Sequence, residues 1–112
     1  MADIKLEIDR VLNEIKGVTA FFYYPDDFKR LPCISFYEAS NTPAAHADDD
    51  EYAAEVIYAV DVWAATDRQV EAVPAQATKK MRGIGFVREF SHDVFDPDST
   101  VRHKAMRFRM MN

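Results

Sequence analysis

The sequence predicts an α+β fold in which one antiparallel or mixed sheet carries two helices on one face. Three observations predict it. Two stretches repeat apolar residues at helical spacing, five others are rich in β-branched and aromatic residues or alternate at strand spacing, and short links between strands favour antiparallel pairing. The 112 residues suit a single domain spanning 1–112, large enough for one core and too small for two. The expected order is αβββαββ.

Ile4, Ile8, Val11, Leu12 and Ile15 line one helical face, with Asp3 as N-cap and Gly17 as stop, so a first helix is expected over 3–16. Val18 to Tyr24 is dense in β-branched and aromatic residues and ends at Pro25, as a strand would. After a connector over 26–31, residues 32–38 put Ile34 and Phe36 on one face of a second strand and Cys33, Ser35 and Tyr37 on the other.

The third strand, 51–63, is the clearest. Tyr52, Ala54, Val56, Tyr58, Val60 and Val62 share an apolar face, while Ala53, Glu55, Ile57, Ala59, Asp61 and Trp63 share a mixed one. At ~3.3 Å per residue such a strand reaches ~40 Å, so its hairpin with the second strand should project beyond the body of the domain. The hairpin tip, about 40–51, reads as a mobile acidic loop holding Asp48, Asp49, Asp50 and Glu51.

Thr66 and Gln69 form a capping-box signature, and Val70, Val73, Ala77 and Met81 repeat at helical spacing, giving a second helix over 67–82. Pro74 lies inside it and should kink the helix or delay its start. A fourth strand begins at 86–90, 95–99 reads as a turn, and a fifth strand alternates over 101–110. The two helices should cover one sheet face. The other is then solvated or covered by another subunit, and the mixed face of the third strand resembles an interface more than a solvent surface.

The charge balance of −5 argues against a protein whose whole surface grips nucleic acid. Residues 1–78 hold six basic and fifteen acidic side chains, a net of −9, whereas 79–112 hold eight and four, a net of +4. Such polarity is either cancelled within the fold or used to dock one copy on the next. No apolar run reaches the ~18 residues of a membrane span, and the first residues do not read as a secretory signal. A single cysteine, Cys33, excludes an internal disulfide and a cysteine zinc cage and suits a reducing compartment.

The search for chemistry yields no active site to name. Cys33 sits among apolar strand residues and reads as a small core residue. His46, His92 and His103 are not at metal-ligand spacing, and the acidic loop lacks the glycine and spaced oxygens of an EF-hand. Gly83-Ile84-Gly85 follows a helix and precedes a strand, the reverse of a phosphate cradle. Arg102, Lys104, Arg107 and Arg109 are divided between two strand faces without the aromatic signature of a nucleic-acid binder. No cofactor is implied.

Residues 32–38 (PCISFYE), 57–63 (IYAVDVW), 81–86 (MRGIGF) and 103–108 (HKAMRF) resemble the small tail-completion proteins of long-tailed phages and prophages, the tail-terminator or tail-to-head joining proteins. The likeness follows the element order over most of 1–110, on short motifs that concern packing. It implies a small α+β domain whose copies close into a ring, commonly of six, which caps the tail tube and meets the head connector. It further implies a structural, non-enzymatic role in the virion after assembly in the bacterial cytoplasm, with tail-tube and connector proteins as partners. No catalytic or binding residue carries over, and Pro74 departs from the pattern. On this reading the interaction residues are Asp48, Asp49, Asp50, Glu51, Ile57, Trp63, Arg107 and Arg109.

Two other readings compete. A dimeric α+β ligand-binding or regulatory module would line a pocket with Tyr23, Tyr37, Tyr58 and Trp63. A small hydrolase would use Asp61 or the acidic loop with a metal.

Overall fold

The computed structural model describes residues 3–43, 54–97 and 100–111. They form α1 (Ile4–Leu12), β1 (Thr19–Phe22), β2 (Cys33–Pro43), β3 (Ala54–Ala64), α2 (Asp67–Gly83), β4 (Val87–Val94) and β5 (Arg102–Met111). The fold is α+β, in the order expected. The strands make one mixed sheet, β1-β2-β3-β5-β4, in which every pair is antiparallel except β1 with β2.

Asp3 caps α1 as its position predicts, one carboxylate oxygen accepting from the Lys5 and Leu6 amides at 3.0 and 3.4 Å. The helix ends at Leu12, four residues before the expected end. Asn13 is the reason. Its side-chain amide donates to the Asp9 carbonyl at 2.8 Å, and its oxygen accepts from the Ala20 amide at 2.9 Å. A side chain that satisfies backbone groups in this way competes with helix continuation. The chain then turns through Gly17, whose φ of 79° is costly for residues with a Cβ, and Ile15 still reaches the core.

The parallel pairing of β1 with β2 requires the chain to travel back along the strand before re-entering the sheet. The segment 23–32 does this without a helix, starting at Tyr23, which has a φ of 73°. β2 extends to Pro43 and so claims Ser40–Pro43 from the expected loop; the ladder to β3 runs from Cys33↔Trp63 to Pro43↔Ala54, with a bulge between Glu38 and Ser40. The acidic residues 48–51 lie outside the described residues. β1 borders only residues 33–36 of β2, and the long β2–β3 hairpin continues past it along a molecule 52 Å in its longest dimension.

Pro74 does not delay α2, which begins at Asp67 behind the Thr66 cap. Proline removes one amide donor from the helix, but Pro74 is buried against the core and its carbonyl accepts from the Thr78 hydroxyl at 2.8 Å. Both helices pack on one sheet face. Ile8, Leu12, Ala77 and Met81 meet Phe36, Val56, Val60 and Val62 of the central strands, with Met106 and Phe108 from β5 completing the core.

Part of the uneven charge of the chain is used inside the fold. Lys80 reaches Glu14 at 3.0 Å, Arg102 reaches Asp67 at 2.9 Å and Lys104 reaches Glu71 at 3.2 Å, each joining the basic last third to the acidic remainder. The Lys80 hydrogen bond holds the Glu14 carboxyl below the usual carboxylate range.

Candidate interaction surface

Strand alternation sends Val56, Tyr58, Val60 and Val62 of β3 to the helices and Glu55, Ile57, Ala59, Asp61 and Trp63 to the opposite, open face. The ladders extend that face on both sides. Ser35 and Tyr37 of β2 stand opposite Asp61 and Ala59, and Arg109 and Arg107 of β5 stand opposite Ile57 and Ala59. Beyond them, β4 contributes Val87 and Phe90, paired with Arg109 and Arg107. Val87, Phe90 and Val94 are all exposed. A mixed apolar and charged face of this kind, uncovered by any helix, has the composition of a contact surface.

At one end of the face the chain covers itself. Trp63 stacks on His103 at 3.8 Å between ring centroids, and Tyr24 and Phe28 from the β1–β2 connection pack against it at 5.5 and 5.1 Å. The indole N–H donates to the Ser35 hydroxyl at 3.0 Å. His103 Nε2 lies 2.7 Å from Asp61 Oδ1, with both side chains less than one-fifth exposed. An ionised carboxylate only accepts, so a hydrogen bond to it requires the tautomer with the proton on Nε2. Asp61 thus has a partner 42 residues away, which sheet register supplies and local sequence does not reveal. Ser35 is hydrogen-bonded to Trp63 rather than to His103, so the aspartate–histidine pair does not form a serine nucleophile with it. The described residues contain no group of three or more histidine, cysteine or acidic side chains able to hold a metal.

The pair therefore acts as a cross-strand clamp between β3 and β5. Replacing Asp61 by Ala should cost about 1–3 kcal/mol in denaturant unfolding, because it leaves a half-buried imidazole N–H without its acceptor. Asp61→Asn keeps an acceptor and should cost less.

Of the residues singled out by sequence, Ile57, Arg107 and Arg109 share the centre of the open face, and Trp63 lies beneath Tyr24 and Phe28 at one end. Arg109 reaches Glu89 at 3.3 Å, while Arg107 makes no ion pair among the described residues. Asp48, Asp49, Asp50 and Glu51 lie outside the described residues. The aromatic set imagined for a ligand-binding module does not line one pocket, because Tyr58 is buried on the helix face whereas Tyr37 and Trp63 belong to the open one. Sequence reasoning missed His103 and the exposed apolar edge of β4. Val87 and Phe90 were visible as strand residues, but their exposure follows from β4 being the last strand. A groove of about 540 Å³ beside that edge is lined by Val70, Glu71, Val94, Phe95 and Arg102 among others.

No helix among the described residues is long and apolar enough to cross a membrane. The architecture defines a class: an α+β domain with one sheet face sealed by helices and the other uncovered by them. Over nearly all of its length this chain has the fold of the gp17 protein of bacteriophage SPP1, with a TM-score of 0.59 and 14% identity over 97% of this chain and 88% of that one. At that identity the likeness is one of architecture. No protein-family model and no curated protein matches the sequence.

Proposed function

We propose that the chain is a structural protein of a phage or prophage virion, acting in tail completion: copies close into a ring that caps the tail tube and meets the head connector. The observation that carries this reading is the near full-length fold likeness to a bacteriophage protein, added to the sequence resemblance to tail-completion proteins. The open face supports it, since it offers apolar and charged contact area that the helices leave uncovered. The chemistry is recognition rather than catalysis. The residues assigned to contacts are Ile57, for apolar burial, and Arg107 and Arg109, for charge pairing with a neighbouring copy or the connector; Trp63, packed beneath Tyr24 and Phe28, supports that end of the face. Arg102 and Lys104 take no part, because they lie on the helix face with Asp67 and Glu71, whereas Arg109 and its partner Glu89 would both be available to a neighbour. Asp48, Asp49, Asp50 and Glu51 enter through their charge. About two dozen carboxylates around the opening of a six-fold ring would keep DNA from adhering as it passes.

The test adds purified chain to tails that lack their completion protein and images the tail ends by electron microscopy. Ring-capped ends that then join heads are expected. Reversing Arg107 and Arg109 to Glu should weaken capping and raise its salt sensitivity, with thermal unfolding of the chain nearly unchanged. A chain that leaves tail ends bare at every concentration would overturn the reading.

A further inference from the structure

β4 (Val87–Val94) ends the sheet. It is hydrogen-bonded to β5 along one side, and no described strand borders the other. A free strand edge is a template for another strand unless charge, proline, a bulge or brevity blunts it. β4 carries a single bulge beside Glu89 but is neither short nor interrupted by lysine or proline. It has eight residues, none of them Lys or Pro, and is exposed almost end to end. Its apolar side chains Val87, Phe90 and Val94 stand 59, 46 and 39% exposed, and the ladder to β5 puts all three on the open face. The opposite edge, β1, has only four residues.

The partner that fits this edge is β4 itself. The bulge between Arg88 and Phe90 makes Arg88 and Glu89 together occupy one ladder position. Counted that way, the strand is symmetric about Ser91. One step to either side lie Phe90 and His92 on the open face. Two steps out lie Arg88 and Asp93 on the helix face, and three steps out Val87 and Val94 on the open face again. Residues directly opposite each other in an antiparallel pair share a face. Two copies placed antiparallel about Ser91 therefore set Arg88 against Asp93, Phe90 against His92 and Val87 against Val94, each pair occurring twice. Phe90 and His92 already stack within one chain, at 5.6 Å. Arg88 makes no ion pair among the described residues, and the Asp93 carboxylate, 3.4 Å from Lys104, is 71% exposed. Moving the axis one residue either way leaves Arg88 or Asp93 without its counterpart. A half-step puts the apolar side chains on the wrong face.

We propose that the free chain pairs with a second copy along β4, antiparallel about Ser91, joining two five-stranded sheets into one. The interface is isologous, as a two-fold axis requires. It uses one strand from each copy, which places it among small, reversible contacts. This inference goes beyond the tail-completion reading and stands or falls without it.

The experiment uses the full chain carrying Ser91→Cys. Directly opposed residues bring their Cα atoms to about 4.5–5.5 Å, within the range a disulfide spans, and the native Cys33 is buried. Under mild oxidation at high micromolar concentration, the folded variant should form a disulfide-linked dimer at least about tenfold faster than a Thr19→Cys control on the β1 edge, both carrying Cys33→Ala because Thr19 stands directly opposite Cys33. In sedimentation equilibrium, Arg88→Asp and Asp93→Arg should each weaken self-association by about tenfold, and combining them should restore it. Cross-linking no faster than the control overturns the proposal. So does a wild-type chain that stays monomeric throughout, or a double variant that associates no better than the single ones.

Discussion

Phe108→Ala is expected to lower the unfolding free energy by about 3–5 kcal/mol, a large share of the 5–15 kcal/mol that such domains typically possess. Phe108 sits in the middle of β5, fully buried, paired with Tyr58 on one side and Arg88 on the other. It belongs to the core with Val56, Met81 and Phe86, so truncation leaves a void lined by residues from several elements. Partial collapse decides where in the range the value falls. Phe90 supplies the contrast within the same hairpin. It is nearly half exposed, and its truncation should change stability by only about 0.5 kcal/mol. Denaturant unfolding of both variants checks the assignment of faces. Equal losses would mean that β4 and β5 are not placed as described.

The elements that could be read from sequence were those whose burial is one-sided. β3 alternates because one face meets the helices, and α2 repeats at helical spacing because Val70, Val73, Ala77 and Met81 are buried along it. The features that escaped are set by hydrogen bonds or by distant partners. The end of α1 depends on where the Asn13 amide finds its bonds. The far half of β2, Glu38–Pro43, is polar and mostly exposed, so no apolar pattern marks it; its ladder to β3 makes it a strand. Short links suggested antiparallel pairing without deciding between an antiparallel and a mixed sheet; the ten residues between β1 and β2 bring the chain back parallel and make it mixed. The same connection delivers Tyr24 and Phe28 to Trp63.

The surface was legible in the same partial way. Alternation in the third strand pointed to a second face with Ile57 and Trp63 in it, because period-two patterning assigns faces without knowledge of neighbours. It could not assign neighbours. Which basic residues of β5 are free for contact depends on what lies across the sheet. Arg102 and Lys104 face the acidic first turns of α2, whereas Arg107 and Arg109 face away from them. The charge polarity of the chain therefore divides into pairs made against α2 and a part on the open face, where Arg109 pairs with Glu89 and Arg107 makes no ion pair among the described residues.

The second large effect is alkaline destabilisation. Burial pushes the Cys33 thiol from its usual value near 9 up to about 11, with a smaller push from Asp27. It also pushes the Tyr58 phenol from near 10 up to about 12, helped by Glu38. Both groups are neutral when protonated, and the folded state holds their protons to higher pH than the unfolded chain does. Above pH 9 the unfolded state therefore binds fewer protons, and stability falls as pH rises. The contribution is complete below pH 9 and is lost progressively up to about pH 12. Each shift corresponds to stabilisation on the order of 3 kcal/mol. Denaturant unfolding of the wild type should accordingly weaken through this window, most steeply once both groups titrate. Tyr58→Phe removes one titration while keeping the ring against Phe36 and Phe86, and Cys33→Ala removes the other. The double variant should show a visibly flatter alkaline limb, whatever its stability at neutral pH. A wild-type curve that is already flat from pH 9 to 12 would mean that water reaches the thiol on the open face and the phenol on the helix-covered face, and that neither is sealed as tightly as its burial implies.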